Sequence, residues 1–313
     1  MTLAIVFPGQ GSQSVGMLAE LAKQQPQVKE TFDEASGALD YDLWTLVQKG
    51  PDEQLNSTER TQPAMLAAGV AVWRVWCDLG GPEPSAIAGH SLGEYTALVC
   101  AGALTFNDAV SLVAARGRYM QEAVPAGTGA MAAILGLDDG VVSDACARAA
   151  EDQVVSAANF NAPGQVVVAG EKEAVGRAVT ACREAGARRT VLLPVSVPSH
   201  CDLMHPAAEK LAQRLKDINV ERPRIPVIHN ADVTGHDDPD AIRDVLTKQL
   251  HAPVRWVATV KTFAANGVDI VVECGPGKVL TGLNRRIEKG LQAKFIQDSA
   301  SLHDALGASG ERA

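Results

Sequence analysis

The sequence has 313 residues, 46% hydrophobic and 21% charged, which is the composition of a globular protein with a large core. Its formal net charge of −9 disfavours a nucleic-acid partner, because the phosphate backbone is bound through clustered Lys and Arg. No stretch approaches the roughly 20 apolar residues of a membrane span. The apolar run at residues 3–7 has no basic segment before it, so we expect a cytoplasmic protein without membrane association.

Elements in the first third of the chain alternate between strands and helices. Residues 3–7 form an apolar run that Pro8-Gly9 ends, which is typical of a buried parallel strand. The elements predicted after it are helices over 27–48 and 61–79, a strand at 86–88, a helix over 92–101 and a helix that Asn107 caps and that ends near Ala123. This order indicates a parallel sheet with helices on both faces.

A change of pattern follows the linker at residues 125–129, which is rich in Gly and Pro. The elements predicted after it are a strand at 131–136, a helix at 138–150, strands at 154–158 and 165–169, a helix at 171–185 and a strand at 189–195. This β-α-β-β-α-β order is that of the split ferredoxin-like unit. We therefore expect a small subdomain over 126–197, inserted into a large domain formed by 1–125 and 198–313.

The α/β pattern returns after Pro198. The predicted elements are a helix at 202–217, a strand at 225–229, helices at 238–250 and 253–266, a strand at 269–273 and a helix at 279–288. Only the final dozen residues look unstructured. The fold class that follows is α/β, a doubly wound parallel sheet interrupted by the small ferredoxin-like insertion.

The six cysteines are scattered along the chain and form no C-x-x-C pair. In a cytoplasmic protein such cysteines are small buried hydrophobic residues or free thiols. We therefore expect no metal site.

A G-x-S-x-G sequence at residues 89–93 lies between a predicted strand and a predicted helix. Glycines at both ends allow a sharp turn, so that Ser91 is presented at the C-terminal edge of the sheet. Its oxygen then lies at a helix N-terminus, where backbone N–H groups can bind an oxyanion. The flanking strand and helix favour a nucleophilic serine over a chance match to a short pattern.

A serine hydroxyl needs a base within hydrogen-bonding reach, and the sequence has seven histidines. His200 is the best candidate, because it follows an apolar strand and precedes a helix, at the sheet edge where such sites form. His229 is the second candidate, while His90 adjoins the serine on a tight turn and is expected to point away. No acidic residue stands out as a third member, so a full triad and a Ser–His pair oriented by a backbone carbonyl both remain open.

Arg116 lies on the apolar face of its predicted helix, together with Leu112, Val113 and Met120. A buried guanidinium needs an anion, and Arg is suited to a planar carboxylate through two parallel hydrogen bonds. Either a protein carboxylate or the carboxylate of a ligand could supply that charge.

The segment Phe7-Pro8-Gly9-Gln10-Gly11-Ser12-Gln13 closes the first strand. It fails as a dinucleotide fingerprint, because the third glycine of G-x-G-x-x-G would fall at position 14, which is Ser14. A nucleotide-binding module is therefore disfavoured. The segment can instead bring the backbone N–H of Gln10 toward Ser91, or form a plain turn.

Seven sequence blocks together resemble the malonyl-CoA:acyl carrier protein transacylases of bacterial type II fatty acid synthesis, in that family's order and over nearly the whole chain. The blocks are Phe-Pro-Gly-Gln-Gly-Ser-Gln (7–13), Gly-His-Ser-Leu-Gly-Glu (89–94), Arg-Gly-Arg-Tyr-Met-Gln (116–121), Asn-Phe-Asn-Ala-Pro-Gly-Gln (159–165), Val-Pro-Ser-His (197–200), Gln-Leu-His-Ala-Pro-Val-Arg-Trp (249–256) and Glu-Cys-Gly-Pro-Gly-Lys-Val-Leu (273–280).

The resemblance implies an α/β-hydrolase-like domain with a ferredoxin-like insertion. It also implies transfer of malonyl from malonyl-CoA to holo acyl carrier protein by a ping-pong reaction, with no cofactor besides the coenzyme A thioester substrate. The roles it implies are Ser91 as the malonylated nucleophile, His200 as its base, the backbone N–H groups of Gln10 and Leu92 as the oxyanion hole, Arg116 as the ligand of the malonyl carboxylate, and the main-chain carbonyl of Gln249 as the group that orients His200. It implies no chemical role for Asn159 or Asn161.

Two questions stay open at this level. The block before the base reads Val-Pro-Ser-His, as in free-standing transacylases, so the extender-unit code of polyketide domains does not apply and methylmalonyl remains an alternative to malonyl. A serine esterase or thioesterase of α/β-hydrolase type would use the same Ser91 and His200 but would give Arg116 no task.

Basic residues are expected at the mouth of the site, because an acidic carrier protein must approach a chain of net charge −9. The densest clusters are Arg188 with Arg189, and Arg285, Arg286 and Lys289. One or both of them should flank the opening.

Overall fold

The computed structural model describes residues 1–194 and 197–310 of the chain. The strands in these residues are β1 (Leu3–Phe7), β2 (Ala86–Gly89), β3 (Gly129–Leu135), β4 (Val155–Ala162), β5 (Gln165–Glu171), β6 (Arg189–Leu192), β7 (Val227–Ile228), β8 (Ile270–Cys274) and β9 (Gln292–Ile296).

The helices lie between these strands in the chain and after the last of them. They are α1 (Ala19–Gln24), α2 (Gln27–Gly37), α3 (Leu43–Lys49), α4 (Asp52–Leu55), α5 (Thr58–Asp78), α6 (Gly93–Cys100), α7 (Phe106–Ala123), α8 (Asp139–Ala150), α9 (Lys172–Glu184), α10 (His205–Lys216), α11 (Pro239–Gln249), α12 (Trp256–Ala265), α13 (Val279–Ile287) and α14 (Ser299–Gly310), with a 3₁₀ turn at Asp202–Met204.

The larger sheet has five parallel strands in the order β7-β2-β1-β8-β9. Alternate residues of β1 enter two different cores: Leu3 and Ile5 belong to the one that contains α5 and α7, whereas Ala4 and Val6 belong to the one that contains α12 and α13. Both faces are therefore covered by helices, which explains why β1 is apolar throughout. This confirms the expected parallel sheet.

The second sheet has four strands in the order β4-β5-β3-β6, and all its neighbours are antiparallel. Helices α8 and α9 cover one face, while the other face packs around Met131, Val167 and Cys201. At one end β4 is tied to the larger body, because the Phe160 N–H donates to the Val254 carbonyl over 2.9 Å. The antiparallel sheet is thereby held over the C-terminal edge of the parallel one.

Several predicted element bounds are wrong. The helix expected over 27–48 is interrupted after Gly37, and Asp42 caps the new helix α3 by accepting from the Thr45 N–H. Thr105, not Asn107, caps α7. The final residues also form a helix, α14, up to Gly310.

Other differences are smaller. The strand expected at 225–229 has only Val227–Ile228 in the ladder, and β9 had not been predicted. The last strand expected in the insertion ends at Leu192, and the predicted extension to Val195 lies outside the described residues. Within the described residues no helix is both long and apolar enough to cross a membrane. Their cysteines are all free, and only Cys77 is exposed.

Candidate active site

Ser91 occupies the sharp turn between β2 and α6, with a positive φ of 52° that few non-glycine residues adopt. The turn is possible because its flanking residues are glycines: a Cβ on Gly89 would lie 1.8 Å from the carbonyl carbon of Gly93, and one on Gly93 would lie 2.1 Å from the carbonyl oxygen of Phe7. The expected presentation of the serine at the C-terminal edge of the parallel sheet is confirmed.

The side chain of Asn230 forms two hydrogen bonds to the backbone of this turn. Its Oδ1 accepts from the Ser91 N–H at 2.7 Å, and its Nδ2 donates to the Gly89 carbonyl at 2.7 Å. Asn230 follows strand β7, next to β2 in the sheet. The strained conformation of Ser91 is thus fixed by a neighbouring strand end as well as by its own glycines.

His200 lies within hydrogen-bonding distance of the serine. Its Nε2 is 2.8 Å from Ser91 Oγ, and its Nδ1 is 2.8 Å from the main-chain oxygen of Gln249. A carbonyl oxygen can only accept a hydrogen bond, so Nδ1 carries a hydrogen and donates a hydrogen bond to the Gln249 carbonyl. Nε2 is then left as the acceptor for the serine hydroxyl. The pair is therefore arranged for proton transfer from Ser91 to His200.

Burial keeps this imidazole uncharged. The removal of water from around His200, together with the positive charge of Arg116, lowers the pKa of the ring to about 3. A neutral ring is the form that can accept a proton. His229 does not contact the serine: it is buried and its Nδ1 lies 2.8 Å from Glu94 Oε1. Of the two candidate histidines, the structure brings His200 to Ser91.

His200 is oriented by a carbonyl group, and among the described residues no carboxylate forms an ion pair with it. Glu94, a buried residue in the first turn of α6, is hydrogen-bonded to residues of the site. Its carboxylate accepts from the Asn230 N–H at 2.8 Å and from Gln249 Nε2 at 3.0 Å. Of the two arrangements left open by the sequence, the structure contains the Ser–His pair with a backbone carbonyl.

Arg116 is only 1% exposed and its guanidinium lies beside the serine. One terminal nitrogen, Nη1, donates to Gln62 Oε1 at 2.9 Å. The other, Nη2, lies 3.0 Å from Gln249 Oε1 and 3.4 Å from Ser91 Oγ. Among the described residues no carboxylate comes within ion-pair distance of it, and its Nε has no hydrogen-bond partner. Burial lowers the pKa of Arg116, with partial compensation from Tyr95 and Glu94.

Gln10 and Leu92 both line the cavity in front of Ser91. The loop that carries Gln10 lies against the turn, since a Cβ on Gly9 would meet the His90 carbonyl oxygen at 2.4 Å. Within the described part of the chain, neither the Gln10 N–H nor the Leu92 N–H has a hydrogen-bond acceptor. Two free donors therefore border the position of the nucleophile.

The cavity itself has a volume of about 210 Å³ and lies between the two sheets. Met131 and Val167 of the antiparallel sheet, with Leu193 just after β6, supply an apolar part of the cavity lining. Asn159 and Asn161, for which no chemical role was predicted, both line it, and Asn161 Oδ1 lies 2.8 Å from His90 Nε2.

Sequence reasoning missed four polar side chains of this site: Gln62, Glu94, Asn230 and the amide of Gln249. Glu94 belongs to the block that contains the serine, and Gln249 opens the block over 249–256, although only its carbonyl was given a role. Gln62 and Asn230 are neutral amides on distant elements, and no local pattern distinguishes a buried amide from an exposed one.

Comparison with known proteins agrees with this geometry. Residues 4–302 match the family model described as "Acyl transferase domain". The chain is 60% identical to a malonyl CoA-acyl carrier protein transacylase of Salmonella typhimurium, over 97% of this chain and 98% of that relative.

Two solved structures are similar over nearly their full length. A crystal structure of an acyl carrier protein S-malonyltransferase from Vibrio cholerae has a TM-score of 0.95 at 59% identity, covering 97% of this chain and 99% of that one. A malonyl-transacylase solved in complex with its holo type II PKS acyl-carrier protein has a TM-score of 0.97 at 56% identity, covering 98% and 100%. From the match, the identity and the shared fold it follows that this chain belongs to the acyl transferase family and, within it, to the malonyl CoA-acyl carrier protein transacylases.

Proposed function

We propose that this chain transfers the malonyl group of malonyl-CoA to the phosphopantetheine thiol of holo acyl carrier protein through a malonyl ester on Ser91. In the first half-reaction Ser91 Oγ attacks the thioester carbonyl while His200 Nε2 takes the hydroxyl proton. The C–S bond then breaks and the coenzyme A thiolate leaves with that proton. In the second half-reaction the carrier thiol gives its proton to His200 Nε2, and its sulfur attacks the ester carbonyl. The bond between that carbon and Ser91 Oγ then breaks, and Ser91 Oγ takes the proton back from His200.

The 2.8 Å distances on both sides of His200 support this sequence of proton transfers. The tautomer that Gln249 fixes leaves the accepting nitrogen toward Ser91 in both half-reactions. The negative charge that develops on the thioester oxygen needs donors, and the free N–H groups of Gln10 and Leu92 are the pair proposed to bind it. The scheme needs no cofactor.

The single observation that carries the choice of substrate is the unpaired guanidinium of Arg116. A buried cation without a counter-ion is costly, and here its nearest partners are two neutral amides and the nucleophile itself. A carboxylate attached two bonds from the reacting carbonyl, as in malonyl, would supply the missing anion. Hydrolysis of neutral esters would leave this cation without a partner.

The finer description of the fold belongs to the same proposal. We assign the parallel sheet to an α/β-hydrolase-like large domain, residues 1–125 and 198–313. Residues 126–197 are assigned to a ferredoxin-like small subdomain. The β-α-β-β-α-β order and the antiparallel strand order β4-β5-β3-β6 support the second assignment. A cytoplasmic location, where coenzyme A thioesters and carrier protein would meet the enzyme, completes the proposal.

Intact-mass measurement after mixing with malonyl-CoA tests the chemistry. The wild-type protein should gain the mass of one malonyl group, and the Ser91→Ala variant should gain none. After holo carrier protein is added, the malonyl mass should disappear from the enzyme and be found on the carrier protein. Ser91→Ala is a matched control, because it removes one oxygen atom at a turn. A malonyl adduct on that variant, or release of the adduct to water without transfer to carrier, would contradict the proposal.

A further inference from the structure

A cluster of two imidazoles and one carboxylate lies outside the site already described, formed by Asp202, His205 and His251. A potential ligand atom of each residue lies within 4.8 Å of those of the other two. The rings of His205 and His251 are stacked with their centroids 4.0 Å apart. Asp202 and His205 are exposed and His251 is partly buried, so the group is accessible from solvent.

The spacing suits a first-row transition metal. Zn²⁺ binds imidazole nitrogen and carboxylate oxygen at about 2.0–2.2 Å, so two ligand atoms of a tetrahedral site lie roughly 3.4 Å apart. His205 Nε2 and Asp202 Oδ1 are already 3.5 Å apart. The ligand atom of His251 lies within 4.8 Å of the other two, so it must approach them by at most about 1.4 Å to reach that spacing. Rotation of the exposed His205 ring against the His251 ring can supply this. Mg²⁺ and Ca²⁺ prefer oxygen ligands and do not fit two imidazoles.

The three residues come from two segments that also hold the proposed base. Asp202 and His205 follow His200 in the 3₁₀ turn and at the start of α10, while His251 follows Gln249 at the end of α11. The His200 N–H donates to the Leu250 carbonyl at 3.0 Å, between these two segments. A metal bound to the cluster would link the segment at the start of α10 to the segment after α11, in addition to this hydrogen bond.

We propose that Asp202, His205 and His251 form a surface site for one Zn²⁺ ion, which cross-links the two segments that position His200. The three protein ligands leave a coordination position for water. The expectation of no metal site rested on cysteine spacing, and these ligands are drawn from distant parts of the sequence without any cysteine.

Calorimetric titration of chelator-treated protein with ZnCl₂ tests the site, with MgCl₂ as a second titrant and CoCl₂ monitored by its visible absorption. We expect one Zn²⁺ per chain, Co²⁺ bands of nitrogen and oxygen ligation, and no Mg²⁺ binding. His205→Ala and His251→Ala should each weaken Zn²⁺ binding by at least the ~10- to 100-fold that loss of an outer partner costs in other sites. Asp202→Asn should weaken it while keeping the side-chain shape.

Two matched control variants test whether Zn²⁺ binds at this site or at other exposed side chains of the protein. His303→Ala removes an exposed histidine on α14, and Cys77→Ser removes the exposed thiol; both should bind Zn²⁺ like the wild type. Saturating Zn²⁺ should also raise the melting temperature of the wild type but not of His205→Ala, because a ligand of the native state stabilises it. Absence of Zn²⁺ binding by the wild type, equal binding by His205→Ala and His251→Ala, or loss of binding in Cys77→Ser would overturn the proposal.

Discussion

Arg116 is the residue at which the choice of acyl group is made in the proposed reaction. If its guanidinium binds the malonyl carboxylate, Arg116→Ala leaves that carboxylate facing an apolar wall, at a cost on the order of 2–5 kcal/mol. This corresponds to roughly a 30- to 4000-fold loss of kcat/KM for malonyl-CoA. Acetyl-CoA has no carboxylate, so its transfer should be unharmed. Steady-state rates with both donors should therefore show a collapse of the malonyl-to-acetyl ratio.

Arg118→Ala is the matched control for that measurement. Arg118 lies on the same helix, but its side chain is exposed and its Nε is 4.0 Å from Glu122, and such surface pairs contribute little. The control variant should keep the malonyl preference and the melting temperature of the wild type. An Arg116→Ala protein that is stable and still prefers malonyl would place the carboxylate ligand elsewhere.

A second prediction at the residue scale concerns His200, because among the described residues it is the only histidine within hydrogen-bonding distance of Ser91 Oγ. His200→Ala should slow malonylation of Ser91 by about 10²–10⁴-fold, the usual contribution of a general base. Rapid-quench mass spectrometry measures this step directly. His229→Ala should instead lower the melting temperature, since it removes one of the three hydrogen-bond partners described for the buried Glu94 carboxylate. The reverse ranking of the two variants in malonylation rate would identify His229 as the base.

The shape of the turn between β2 and α6 depends on glycines, which have no side chain to collide with the neighbouring backbone. At Gly93 a Cβ would lie 2.1 Å from the backbone oxygen of Phe7, which cannot move without disturbing β1. Gly93→Ala should therefore destabilise the protein by about 1–3 kcal/mol, as for other overpacked positions, and should slow malonylation by displacing Ser91. Urea denaturation and intact-mass kinetics measure the two effects.

Gly140→Ala in α8 serves as the control for the glycine substitution. No atom would lie within 4 Å of the new Cβ, so stability should be unchanged or raised by up to about 1 kcal/mol through helix propensity. If Gly93→Ala were as stable and as fast as Gly140→Ala, close packing would not be what shapes the turn.

The elements also show what the sequence can and cannot predict. Buried strands such as β1 and β8 were predicted nearly to the residue, because an apolar run bounded by Gly and Pro has few other uses. Caps were less certain: Thr105 and Asn107 are both good capping residues, and only the position of the backbone of α7 selects Thr105. The edge strand β9 and helix α14 lack a strong apolar period, since their burial comes from neighbours distant in sequence.

The residues of the site likewise fall into those that the sequence could predict and those that it could not. Ser91 and Arg116 were predicted because local signals carry them, a strand–turn–helix motif and a charge on an apolar helix face. The orientation of His200 by a carbonyl of α11 could not be read from the residues, since every residue has a carbonyl and only the tertiary structure selects one. The resemblance to a family supplied Gln249, and the contact at 2.8 Å is found in the structure.

At the scale of the whole molecule, the position of the two basic clusters relative to the opening of the cavity decides which of them can contact a carrier protein. Helix α13 contributes Val279, Leu280 and Leu283 to the cavity wall. Arg286, one turn further along this helix, donates to Gln165 Oε1 at 2.6 Å, and Gln165 also lines the cavity. Of the α13 cluster, Arg285, Arg286 and Lys289, it is Arg286 that therefore lies at the rim of the opening, whereas Arg285 donates to the Ala293 carbonyl at 2.8 Å.

The other basic cluster lies at the far end of its strand. Arg189 pairs with Leu135 in the antiparallel sheet, whereas the cavity is lined by Leu193. Arg189 and Leu193 are four steps apart along the chain, roughly 13 Å at 3.3 Å per step if the chain is extended. Of the two clusters expected to flank the opening, the geometry thus favours that of α13 as the contact for an acidic carrier protein.

Removal of two charges of the α13 cluster, Arg286 on the helix and Lys289 just after it, tests this directly. Arg286→Gln with Lys289→Gln should raise the KM for holo carrier protein several-fold and leave the KM for malonyl-CoA nearly unchanged, because rim charges act mainly on the encounter of the two proteins. Arg189→Gln, which removes a charge far from the opening, is the control and should change neither constant. Added salt should raise the carrier KM of the wild type and should have less effect on the double variant, because the screened attraction is already lost there. Equal salt dependence of the two proteins, or a carrier KM that responds to Arg189→Gln and not to the α13 substitutions, would place the docking surface on the other side of the cavity.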